Sequence, residues 1–197
     1  MFILYDVYKE GADNFMEKNL NVKDMVITAL LIAFGIIIPT AFSGLRVILP
    51  PAFTATLTAH VPIFVAMFIS PISAIFTAIG TALGFLLSGT VDLVVTVRAA
   101  SHIVFAIVGA YMLQRGKSIV LCGVVTAVLH ALFEALVVFL FLSMGWTKGA
   151  ESSVFEMAFY VTGIGTIIHH IIDYIIAVAL ITALAKTKAI RKLPKFF

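Results

Sequence analysis

The chain has 197 residues, of which 62% are hydrophobic and only 12% charged, with a formal net charge of +3. A soluble domain of this length would be nearer half apolar and a quarter charged. Here the apolar excess falls in long runs, which excludes a water-soluble globular fold and predicts a polytopic membrane protein.

The first 24 residues carry five acids and three lysines and lack the apolar core and cleavage site of a signal peptide. They suit a short interfacial helix; the alternative is that translation starts at Met16, leaving a brief polar leader. Six apolar runs follow, each near the roughly 20 residues that cross a bilayer. They span 25–43, 51–69, 72–89, 93–113, 118–144 and 160–185, separated by breaks holding Gly or Pro. Pro62 is expected to kink the second helix, and the connection at Ser70–Pro71 is very tight. Residues 186–197 form a basic tail. The prediction is an all-α membrane bundle of six transmembrane helices between an N-terminal segment, 1–24, and that tail.

Orientation follows from the Lys and Arg count. With the N-terminus inside, ten basic residues face the cytoplasm, Arg46 and Lys148 face out, and Arg98 is within the membrane. That asymmetry places both termini in the cytoplasm. It also explains the basic residues, which sit on membrane flanks and tails, without a nucleic-acid partner. The single cysteine, Cys122, excludes a disulfide framework and a Cys-based metal site.

Orientation converts sequence position into depth at about 1.5 Å per helical residue. Arg98 then lies roughly 8 Å below the outer end of the fourth span, with His102 one turn deeper on the same face. His60, Glu134 with His130 a turn below it, and His169, His170 and Asp173 fall in the outer halves of three other spans. Four helices therefore bring ionisable groups to one depth, which predicts an outward-facing polar pocket. Arg98 is the natural anchor for a small organic acid, because guanidinium is always charged and forks onto carboxylate. His102 and His60 offer donors or acceptors, and Glu134 either binds a donor on the ligand or neutralises Arg98.

Plainer roles compete with these. Arg98 is within snorkelling reach of the interface, and His130 is expected to be an interhelical hydrogen-bond partner. His169 and His170 point to different helix faces, so at most one lines the pocket. Asp173 can simply pair with His169 at i, i+4, and Arg46 is as well placed for a headgroup contact as for a gate. His130 with Glu134, or His169 with Asp173, has metal-ligand spacing, but H-x-x-x-E alone is a weak signal and a nearby arginine disfavours a divalent cation. Neither a catalytic motif nor a P-loop is present, so no enzyme, metal or cofactor is expected, and uphill transport needs an ion gradient or partner subunits.

The first span places Ala29 and Ala33 four apart, with Gly35 close by, and the third holds Ala74, Ala78, Ala82 and Gly84. Small residues at such spacing let helices approach closely in lipid. The chain resembles the substrate-binding S components of energy-coupling factor (ECF) transporters, the vitamin-uptake systems of bacterial cell membranes, over roughly residues 20–190. The resemblance is carried by Ala29-Leu-Leu-Ile-Ala33, which matches the A-x-x-x-A motif of the first helix, and by the length and span count. The stretches FTATLTAHVPIFVAMFISP and VRAASHIVFAIVGA are similar to the niacin-type branch.

The resemblance implies a six-helix S component with both ends cytoplasmic that binds a vitamin from outside and topples to release it. It docks on a transmembrane coupling subunit through Ala29 and Ala33, and two ABC-type ATPase subunits drive the cycle. Arg98, His102 and Glu134 fall where the vitamin pocket should be, with His60 and His169 beside them. Nicotinate suits an arginine anchor. Pantothenate, or a pyridoxine-like or hydroxymethylpyrimidine ligand pairing with Glu134, are the alternatives within the family. An ion-coupled carrier working alone and a membrane metalloenzyme are the alternatives outside it.

Overall fold

The computed structural model of the protein describes residues 21–50, 53–146 and 153–186. The expected N-terminal segment as far as residue 20, with Met16, and the basic tail beyond Lys186 lie outside them. Helix α1 runs from Val22 to Ala41, and its N-cap Asn21 accepts the N–H of Asp24. Strands β1 (Arg46–Leu49) and β2 (Phe53–Thr56) follow, then the short helix α2 (Val61–Met67). Helices α3 (Pro71–Ser88), α4 (Leu93–Gln114) and α5 (Ile119–Ser143) come next. A nine-residue π-helical segment, Glu156–Ile164, leads without a break into α6 (Gly165–Lys186).

Among the described residues, five helical stretches are long and apolar enough to cross a membrane: α1, α3, α4, α5 and Glu156–Lys186. Their outward faces carry large apolar side chains such as Leu30, Phe34, Leu86, Val128 and Ile175, as lipid solvation demands.

The second expected span, 51–69, is corrected. Phe53–Thr56 pairs antiparallel with Arg46–Leu49 in the register Arg46↔Thr56, Val47↔Ala55, Ile48↔Thr54 and Leu49↔Phe53. Only Val61–Met67 is helical, and every residue of it is buried. The bundle is therefore not all helix, and residues 53–69, the described part of that span, do not form a transmembrane helix. The alternation of β-branched threonines in Phe-Thr-Ala-Thr-Leu-Thr favours a pleated, half-buried strand, a preference that hydropathy alone does not register. Pro62 does not kink α2; it occupies the first turn, where its missing N–H costs nothing. The sixth span is also longer than expected at its start.

Arg46 fixes the hairpin to one end of the bundle. Its Nη2 donates to the Pro39 carbonyl (2.6 Å), Nη1 to Thr90 Oγ1 (2.9 Å) and Nε to Thr56 Oγ1 (3.1 Å). At the opposite end, Thr28 and Ser73 share a hydrogen bond of 2.8 Å between α1 and α3. The chain returns from one end to the other through β2, a turn and two helical turns, because strand covers about 3.3 Å per residue against 1.5 Å for helix. The tight Ser70–Pro71 connection is an N-cap: Ser70 Oγ accepts the Ser73 N–H at 3.0 Å, and Pro71 opens α3.

The small residues of the third span do what close packing in lipid requires. Ala74, Ala78 and Ala82 are buried. A Cβ at Gly84 would lie 2.7 Å from the Gly35 carbonyl oxygen and 2.7 Å from Ile36 Cα, so only glycine admits the α1 backbone there.

Candidate functional site

Arg98 on α4 is 3% exposed, and its Nη2 donates to Glu134 Oε2 on α5 at 2.6 Å. It also donates to the Thr54 carbonyl at 3.3 Å. The arginine is thus held inside the protein and does not snorkel. Of the two roles the sequence left to Glu134, neutralising Arg98 is the one seen. Glu134 accepts further from Thr166 Oγ1 on α6 and from His102 Nε2 at 3.1 Å, and His130 Nε2 lies 3.4 Å from its Oε1. Buried carboxylates persist in lipid only with such a set of partners.

A second carboxylate organises the neighbouring turn. Asp173 accepts the backbone N–H of Thr58 (2.8 Å) and of His60 (3.1 Å), His60 Nδ1 (3.0 Å) and His169 Nε2 (2.9 Å). The expected His169–Asp173 pair therefore exists, but Asp173 also pins the turn after β2. Thr58 needs that hold, since its φ of 69° places a β-branched residue in the left-handed region.

His60, His102 and His130 form a triangle of rings with every centroid separation 4.6 Å, and His169 lies 4.6 Å from His60. His170 stands behind them: its Nδ1 meets His130 Nδ1 at 3.0 Å and its Nε2 meets Thr126 Oγ1 at 3.1 Å. His130 is the interhelical partner expected, and of the neighbours His169 and His170 only His169 lines the cavity.

That cavity is bounded by Phe53, Thr54, His60, Arg98, His102, His130, Glu134, Thr166 and His169 among others, and encloses about 20 Å³. Small-molecule sites commonly offer about 300–1,000 Å³. The hairpin is what closes it. Phe53 stacks over the Arg98 guanidinium, 5.3 Å from its ring centroid, and its ring fits against Gly165, where a Cβ would meet it at 2.7 Å.

All five residues singled out for binding (Arg98, His102, Glu134, His60 and His169) line this one cavity. Ala29 and Ala33 lie elsewhere, exposed on the outer face of α1. Sequence reasoning missed Thr166, the closing role of Phe53 and Thr54, and the anchoring role of Arg46. Thr166, His170 and Asp173 recur at i, i+4 and i+7 on the buried stripe of α6, a helical signal that could have added Thr166. The hairpin contacts have no local signal.

Polar and ionisable side chains line the cavity inside a bundle whose long helices are apolar enough to cross a membrane, and by its similarity to a known transporter the chain is a membrane transport protein, not an enzyme. It is 34% identical over 188 residues to the niacin transporter NiaX of Lactococcus lactis subsp. cremoris (strain MG1363), covering 91% of this chain and 83% of that protein. The chain belongs to that family, the niacin-type S components of ECF vitamin transporters. No protein-family model matches the chain, and no solved structure matches it significantly.

Proposed function

We propose that the protein is the substrate-binding component of an ECF-type importer and that it captures niacin. The carrying observation is Arg98, a permanent cation buried beside histidines under the β1–β2 hairpin, in a chain similar to a niacin transporter. Nicotinate offers a carboxylate for the guanidinium and a ring nitrogen for a histidine. Both termini face the cytoplasm and the hairpin faces out, in keeping with the basic residues at the opposite flanks.

The 20 Å³ cavity is a closed state without room for a pyridine ring. Admission requires Phe53 and Thr54 to leave Arg98, after which the ligand takes their place and the hairpin folds back over it. Delivery then follows the S-component cycle: toppling while docked through Ala29 and Ala33 on a transmembrane coupling subunit, with two ABC-type ATPase subunits supplying the energy. The exposure of these two alanines on α1 supports that docking face, since small residues permit close helix approach.

Calorimetry of nicotinate with the detergent-purified protein tests the reading. Sub-micromolar binding that Arg98→Ala abolishes is the expected result. Binding of pantothenate in preference to nicotinate overturns the substrate assignment, and binding of neither acid overturns Arg98 as an anchor.

A further inference from the structure

The hydrogen-bond network assigns a tautomer to each histidine of the triangle. Thr126 Oγ1 donates to the Cys122 carbonyl at 2.7 Å, so it accepts from His170 Nε2. His170 Nδ1 is then the acceptor, and His130 Nδ1 carries the proton between the two rings. His60 Nδ1 donates to Asp173, and His102 Nε2 donates to Glu134. In the neutral rings this leaves lone pairs on His60 Nε2, His102 Nδ1 and His130 Nε2.

His102 Nδ1 and His130 Nε2 are buried and make no hydrogen bond. His130 Nε2 instead faces a carboxylate oxygen 3.4 Å away, acceptor against acceptor. Such an arrangement calls for a cation. One nitrogen from each of His60, His102 and His130 falls within 4.8 Å of the other two.

We propose that His60, His102 and His130 bind a divalent transition-metal ion of the zinc type, with a fourth position open to the cavity. Three features fit. Imidazole suits Zn²⁺ and its first-row neighbours, and three histidines with an open position make a familiar tetrahedral arrangement. Each ligand's other nitrogen is already tied to an orienting partner: Asp173 for His60, Glu134 for His102, His170 for His130. The small cavity that excludes a vitamin has room for an ion. The arginine that argued against a divalent cation is neutralised by Glu134.

Charge points the same way. With neutral histidines the cluster holds one cation, Arg98, against two carboxylates, Glu134 and Asp173. A divalent ion reverses that sign, so an incoming acid is attracted in low dielectric. This last link rests on the niacin reading; the metal site itself does not.

The alternative trio of His60, His169 and Asp173 is also close enough. There, however, Asp173 already accepts four hydrogen bonds, and His169 spends Nε2 on it.

The test loads the full chain, purified without a polyhistidine tag and stripped by chelator, with Co²⁺. About one equivalent is expected, with an intense visible d–d spectrum of tetrahedral type. X-ray absorption of the Zn²⁺ form should show imidazole nitrogens at about 2.0–2.1 Å, which requires no variant. His102→Gln and His130→Gln should each weaken binding at least 100-fold, with unchanged gel-filtration profiles, while His169→Ala should change it less than threefold. No stoichiometric binding by the wild-type chain overturns the site. Loss of binding in His169→Ala but not in His102→Gln overturns this choice of ligands. Nicotinate titration of the stripped and loaded forms separates the two proposals. Metal binding without nicotinate binding sinks only the niacin reading, and nicotinate binding by a chain that takes up no metal sinks only this one.

Discussion

Arg98 and Glu134, 36 residues apart on neighbouring helices, meet at 2.6 Å with both side chains almost wholly removed from solvent. The pair fixes α4 to α5 at the level of the cavity and holds a permanent charge inside a lipid-embedded bundle. Two charges desolvated together are tolerable; one alone is not.

Glu134→Ala is therefore expected to destabilise the protein by about 3–5 kcal/mol, the range for leaving one buried charge uncompensated. The double variant Arg98→Met/Glu134→Leu should recover most of that loss in thermal melts in detergent, yet fail to bind nicotinate. A double variant as unstable as Glu134→Ala would show that the pair is not what the single change disrupts.

Asp173→Ala removes the acceptor for two backbone N–H groups and two imidazoles. Leaving buried donors unsatisfied costs about 1–3 kcal/mol each. Hydrogen exchange should accelerate first in residues 57–60, which Asp173 holds. Thr58→Gly should relieve the left-handed strain at that position and slow local opening in an otherwise wild-type chain.

Gly84→Val places a branched side chain against the backbone of Gly35 and Ile36, where the first added carbon already falls at 2.7 Å. Backbone cannot move aside as a side chain would, so α1 and α3 must separate. A loss of at least about 1–3 kcal/mol is expected from such overpacking. Gly44→Ala is the control, since a Cβ there meets nothing within 4 Å.

Ala29→Leu with Ala33→Leu alters only the exposed face of α1. Nicotinate binding to the purified double variant should equal that of the wild type within twofold, while uptake in cells expressing the complete transporter should fall at least tenfold. Equal loss of binding and uptake would remove these alanines from a docking role. Uptake by the wild-type chain reconstituted without partners would identify a carrier that works alone.

The long apolar runs by themselves determined that the chain crosses a membrane, where five of its helices begin and end to within a few residues, and which ionisable residues lie at a common level. The reason is physical: lipid demands about 20 apolar residues per helical crossing and tolerates charge only where it is paired, so both features are written locally. The small-residue spacing of α3 was equally legible, because close helix approach has only a few side-chain solutions.

Tertiary structure alone decided the rest. Residues 51–69 are as apolar as a spanning helix, but the burial of most of residues 53–69 inside the bundle frees them from the rule that lipid-facing backbone be helical, and β2 finds its hydrogen bonds on β1. The backbone partners of Asp173, Thr58 and His60, 115 and 113 residues away, and the guanidinium contacts of Arg98 depend on which helix ends are neighbours. The direction of each imidazole lone pair depends on those partners in turn, and no local pattern in the chain encodes that.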